Sequence, residues 1–154
     1  MDKQEKRAAA RLARTTRHDG PLTPWRAWFD GSAHPNPGRC GIGALLTGPD
    51  GERIEISRPA GHGNSSEAEY LALIAVLEAA SEHGARGLTV YGDSQVVIGD
   101  VNGPDTAAAR SLSAYRARAQ ALILLLAPVS LRWLPRHKNQ AADALSQRAV
   151  ALLG

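Results

Sequence analysis

Four acids stand where an ordinary fold favours other residue types: Asp30, Glu69, Asp93 and Asp143. Asp30 follows the aromatic run Trp25-Arg26-Ala27-Trp28-Phe29 and precedes Gly31-Ser32, while Asp93 follows Leu88 to Gly92 and precedes Ser94. Both fall at the carboxyl ends of expected strands, where open α/β sheets gather their sites. Glu69 is followed at helical spacing by Leu73, Val76 and Ala80, so it shares an apolar, core-directed face. A buried carboxylate without a partner is unfavourable. Asp143 falls in the first turn of an expected last helix, where the helix dipole stabilises an anion. Singly, the aspartates also read as a loop residue or as dipole compensation. As a set they are carboxylates without matching cations, and divalent metal relieves the repulsion among them. Oxygen ligands select hard cations such as Mg²⁺ or Mn²⁺. Two such ions about 4 Å apart support in-line attack on a phosphodiester.

These acids need a scaffold. Trp25–Asp30, Gly41–Leu46 and Glu52–Arg58 read as three strands, with Gly31–Gly38 a polar loop and Pro49-Asp50-Gly51 a tight turn. Gly61–Ser66 reads as a further loop, in which Ser65 or Ser66 caps a long helix over Glu67–His83. Leu88–Tyr91 is a fourth strand, Gln95–Gly99 a short helix and Asn102–Asp105 a turn. Thr106–Leu126 is a long helix, Val129–Leu134 a fifth strand and Ala141–Leu153 the last helix. A meander followed by alternating helices and strands describes a mixed α/β sheet.

The local sequences around the acids are more specific than the acids. Asp30-Gly31-Ser32-Ala33-His34-Pro35-Asn36-Pro37-Gly38, followed by Gly41-Ile42-Gly43-Ala44, resembles the opening motif of type 1 ribonuclease H. Asn64 to Leu73 resembles its second motif, Tyr91 to Val97 its third, and Trp133 to Leu145 its last in a short-loop form. The resemblance covers about residues 25–153, with the motifs in family order. It implies a ribonuclease H-like fold, a five-stranded mixed sheet whose first three strands are antiparallel, with flanking helices. It implies hydrolysis of the RNA strand of RNA–DNA hybrids with two Mg²⁺ ions, Mn²⁺ substituting, and products ending in 5′-phosphate and 3′-hydroxyl. Asp30 would bridge both ions, Glu69 and Asp93 would hold the ion beside the leaving oxygen, and Asp143 the ion that activates water. Gly31, Ser32, Asn36, Ser65, Ser66 and Gln95 fall at substrate-contacting positions. For Ser65 and Ser66, helix capping is the competing reading. His137 corresponds to a histidine that assists proton transfer or product release, or else belongs to a solvated basic loop, Arg136-His137-Lys138. The segment between Asp93 and Trp133 lacks the strongly basic protrusion of well-known bacterial members.

Composition limits the other classes. One cysteine, Cys40, permits no internal disulfide and no thiolate zinc cage, and suits a reducing cytoplasm. The histidines at positions 18, 34, 62, 83 and 137 form no HExxH pair. Met1–Thr16 is charged and alanine-rich, unlike a secretory leader, and the apolar run Ala121–Val129 is too short to span a bilayer. Residues 1–20 carry six of the 18 basic residues and three of the 15 acids, hence the whole net charge of +3. The expectation is therefore a basic tail, 1–21, disordered or marginally helical and touching substrate phosphates, ahead of a catalytic domain, 22–154, with no obligate protein partner. A non-catalytic nucleic-acid binding module on this fold would have lost an acid. A related nuclease for another duplex would carry other motif contexts.

Overall fold

The computed structural model describes residues 24–151, so the expected tail and the end of the last helix lie outside the described residues. Among the described residues are five strands, β1 (Arg26–His34), β2 (Gly38–Thr47), β3 (Arg53–Gly63), β4 (Leu88–Gly92) and β5 (Val129–Trp133). They form one sheet in the order β3-β2-β1-β4-β5. β1, β2 and β3 pair antiparallel, whereas β4 lies parallel to both β1 and β5. Among the described residues four α-helices flank the sheet: α1 (Ser65–Glu82), α2 (Gln95–Asn102), α3 (Ser113–Leu126) and α4 (Gln140–Ala151).

Alternation along the strands assigns the two faces. Ala27 and Phe29 of β1 and Ile42, Ala44 and Leu46 of β2 enter one core with Tyr70, Leu73 and Leu77 of α1 and Leu122 and Leu126 of α3. Eleven residues of α1 are buried, because it is covered both by the sheet and by α3. The intervening residues of β2, Gly41 and Gly43, face α4 on the other side. A Cβ at Gly43 would lie 2.3 Å from Ser146 N and 2.4 Å from Ala142 O. Glycine there is what lets α4 approach the sheet.

Three elements differ from the sequence reading, each for a physical reason. The polar stretch Gly31–His34 is strand rather than loop: β1 runs on through it, pairing Gly31 with Ile42 and His34 with Arg39. Its polarity misleads because both faces are covered, leaving Gly31, Ser32 and Ala33 buried. Likewise β3 continues through Gly63, past a bulge opposite Arg39 and Gly41. The helix expected over Thr106–Leu126 starts only at Ser113, after two 3-10 turns. Helix propensity in this alanine-rich segment is outweighed by tertiary bonds. The buried Arg116 donates to Asp100 O at 2.9 Å, Gly103 O at 3.0 Å and Asp105 Oδ1 at 2.7 Å, while Ala109 N donates to Asp100 Oδ1 at 2.8 Å.

Gly43→Ala should therefore destabilise the chain by about 2–3 kcal/mol, because the added methyl meets helix backbone that cannot rotate away. Urea denaturation checks this. A midpoint within error of the parent would mean that α4 packs less closely than described.

Candidate active site

β4 ends its pairing with β1 at Gly92, opposite Phe29. Beyond that point the strands part, and the acids gather in the opening. Asp30 lies in mid-strand on the α4 side of β1. Its Oδ2 accepts from the Ser146 hydroxyl at 2.6 Å. Glu69 arrives from the opposite face on the first turns of α1. That approach depends on Gly31, where a Cβ would sit 2.2 Å from Ala68 C and 2.4 Å from Glu69 N. The same glycine's N–H donates to Glu69 Oε1 at 2.9 Å. Asp93 follows β4 directly, and its Oδ2 accepts from Asn139 Nδ2 at 2.9 Å.

Asp30, Glu69 and Asp93 each bring a carboxylate oxygen within 4.8 Å of the others. Asp30 and Glu69 are buried and Asp93 is partly so. Glu69 Oε2 is buried without a protein partner. Burial pushes the Asp30 carboxyl up to about 6; hydrogen bonds with Glu69 and Ser146 pull it down, and the charges of Asp93 and Asp143 raise it again. Glu69 is held well above the usual carboxylate range, first by burial and then by the charge of Asp30 and a hydrogen bond to it; the Gly31 N–H only partly offsets this. The charged form of this pair is thus disfavoured until a cation arrives. An orphaned carboxylate oxygen beside two more carboxylates is a donor set for a hard divalent cation.

Asp143 stands outside that triad. It lies in the first turn of α4, as expected, and pairs with Arg136 Nη2 at 3.5 Å, an exposed contact of little energetic weight. Asn36 and Ser65 bind one another across the groove: Asn36 Nδ2 donates to Ser65 Oγ at 3.2 Å and Ser65 N to Asn36 Oδ1 at 3.1 Å. Ser65, Ser66, Gln95 and Trp133 line a cleft of about 500 Å³ that reaches Glu69 and Asp93. Ser32 is buried, its hydroxyl bonded to Ser146 Oγ at 2.8 Å and Gln147 Nε2 at 3.2 Å. His137 is exposed on a 3-10 turn, Arg136–Lys138, and lines neither this cleft nor the smaller one over Asp30. The helix cap is neither serine. Asn64 caps α1, with Glu67 N donating to its Oδ1 at 2.8 Å and its own N–H donating to Glu67 Oε1 at 3.0 Å. Because Glu67 completes that box, Ser65 and Ser66 are left to the groove.

Asn139, Ser146 and Gln147 were not singled out by the sequence, yet all three touch the acids or their neighbours. Ser146 and Gln147 follow Asp143 at the spacing that shares its helix face, which is the signal that marks them. Asn139 carries no such periodic mark.

A sheet in this order, with acids delivered by β1, α1, β4 and the last helix, is the architecture of a ribonuclease H-like domain. A family model described as "Reverse transcriptase-like" matches residues 28–149. The chain is 37% identical over 131 residues to ribonuclease HI of Halobacterium salinarum, covering 80% of this chain and 63% of that protein. The crystal structure of RNase H1 from that archaeon superposes with a TM-score of 0.73 at 34% identity, covering 82% of this chain and 97% of that one. LC11-RNase H1, solved in complex with an RNA/DNA hybrid, superposes with a TM-score of 0.75 at 27% identity over 84% of this chain and 98% of its own. A bifunctional protein of Mycobacterium tuberculosis is 32% identical over 79% of this chain, which spans 34% of its length. The chain thus spans less than two thirds of the length of these two curated relatives. The chain belongs to the ribonuclease HI family. Members of that family generally use divalent metals, and the buried triad is a matching donor set.

The raised Asp30 carboxyl carries a signed consequence. Its folded value of about 6 exceeds the ordinary 3.8, so the folded state binds this proton more tightly and loses stability as pH rises from 4 through 6. Asp30→Asn should stabilise the metal-free protein by about 1–2 kcal/mol at pH 7 to 8, and by nothing near pH 4. Thermal melts in chelator across that range are the check. A destabilised variant at pH 8 would contradict the repulsion assigned to this site.

Proposed function

We propose that the chain is an endoribonuclease that hydrolyses the RNA strand of RNA–DNA hybrids, giving 5′-phosphate and 3′-hydroxyl ends, with two Mg²⁺ ions, replaceable by Mn²⁺. One observation carries the reading: three carboxylates converge, and two of them, Glu69 and Asp93, line a cleft shared with the polar side chains of Ser65, Ser66 and Gln95, while Asp30 joins them in the smaller cleft alongside. Family membership and the hybrid-bound structure of LC11-RNase H1 support the choice of substrate.

Asp30, Glu69 and Asp93 would hold metal, with Asp143 completing the set from α4. Metal bound there supplies Lewis acidity to a phosphate oxygen and acidifies a bound water. The protein's share is orientation. Ser146 and the Gly31 N–H fix one oxygen of Asp30 and one of Glu69, which leaves the other oxygen of each to a metal ion. Asn36, Ser65, Ser66 and Gln95 offer donors and acceptors to the 2′-hydroxyls that distinguish RNA from DNA. The backbone of Gly31 and Ser32 adds a close surface beside Asp30. Arg136, which borders both clefts, meets phosphate when it leaves Asp143. His137 is exposed on the same turn and lines neither cleft, so it would help a proton or a product leave only if that turn moved toward the acids. Trp133 is half-exposed and donates its indole N–H to Asp93 O at 3.1 Å, forming one wall of the cleft. The buried thiol of Cys40 plays no part, and a free cysteine suits the cytoplasm. Among the described residues no helix is long and apolar enough to cross a membrane.

Strand-labelled substrates test this. In Mg²⁺ the RNA of a hybrid should be cut internally and its DNA left whole. Asp93→Asn should lower kcat by at least about 10³-fold while hybrid binding in Ca²⁺ persists. Equal cutting of both strands, or near-normal turnover by Asp93→Asn, would overturn the proposal.

A further inference from the structure

Asn139 immediately precedes α4, the position from which an asparagine usually caps a helix with its side-chain oxygen. Here it does not. Its Oδ1 is buried without a protein partner, and its backbone (φ −114, ψ 33) is not the extended conformation of a cap. The amide is turned the other way. Nδ2 donates both to Phe29 O, at 2.9 Å, and to Asp93 Oδ2, at 2.9 Å. The residue is 1% exposed. A rotated amide would set its oxygen against both acceptors, so this orientation is fixed.

Those two bonds join what the chain keeps far apart. Phe29 is the residue before Asp30, and it lies opposite the end of β4, where Asp93 follows. The Asn139 carbonyl accepts from Asp143 N at 3.0 Å, opening the helix that carries the fourth acid. One side chain and its own carbonyl thus contact the segments bearing Asp30, Asp93 and Asp143. A residue serving packing alone would not leave an acceptor buried and forgo a local cap for bonds to distant segments.

We propose that Asn139 is a positioning residue of the metal site: it occupies one oxygen of Asp93 and leaves the other to the ion. This rests on the reading of the acids as metal ligands. Such outer partners of a ligand set metal affinity as well as geometry.

Asn139→Leu keeps the branching of the side chain, removes the orphaned acceptor and deletes both donated bonds. Asn139→Ala serves as a second variant. The measurement is the midpoint for Mn²⁺, by calorimetry on the full chain without substrate, with hybrid turnover against Mg²⁺ concentration beside it. Both variants should keep the parent's far-ultraviolet spectrum and bind Mn²⁺ about 10- to 100-fold more weakly. Turnover should need correspondingly more Mg²⁺, with KM for hybrid at saturating metal little changed. An unaltered Mn²⁺ midpoint in a folded variant overturns the proposal, whatever its activity. Should neither variant fold, the Asn139 side-chain amide resonances of the parent protein decide. They should shift as diamagnetic Mg²⁺ is titrated, with the midpoint of Mg²⁺ binding measured separately by calorimetry, and their failure to move also overturns it. A parent protein that binds no metal would instead sink the ligand reading itself.

Discussion

Asp30, Glu69 and Asp93 hold oxygens within 4.8 Å of one another, two of the three side chains buried, and that repulsion is the constraint around which the rest is arranged. Left alone, such a cluster drives its own side chains apart or holds protons. The fold resists the first outcome by anchoring each acid on a different rigid element. The second outcome is what the raised Asp30 and Glu69 carboxyls express. A site of this kind is stable enough to exist and strained enough to favour a cation.

Close packing does the anchoring. Asp30 belongs to the face of β1 that meets α4, while Glu69 comes from the helix on the other face; they meet only because α1 presses its backbone onto Gly31. On the far side, α4 presses onto Gly43 and thereby brings the Ser146 hydroxyl to Asp30 and Asp143 to the rim. Two glycines in neighbouring strands thus set the depth at which the acids sit. The short-range precision of the site is a property of the whole sheet sandwich rather than of the loops around it.

Much of this was legible in the sequence. The four acids stand in motifs whose order fixes the family, and the apolar period after Glu69 correctly marks a buried carboxylate. The five-stranded mixed sheet and its antiparallel start follow from the resemblance those motifs carry, whereas the strand order does not. What the residues hid is instructive. Gly31-Ser32-Ala33-His34 looks like a loop because polarity is read as exposure, yet close helices bury it. The alanine run before Ser113 looks helical because propensity ignores Arg116 of α3, whose guanidinium gathers Asp100 of α2, Gly103 and Asp105. Asn139 looks like one more loop residue because its partners lie far away in sequence, and only folding brings them together.

A metal ion entering this site would have to replace protons at the buried carboxyls. Calorimetric titration of Mn²⁺ at pH 6, repeated in buffers of different ionisation enthalpy, counts protons released per ion bound. Net release is expected at pH 6, with a fall in affinity as pH drops further and loss of most of the release in Asp30→Asn. Binding that is independent of buffer, with an affinity that does not change from pH 5 to 8, would contradict it.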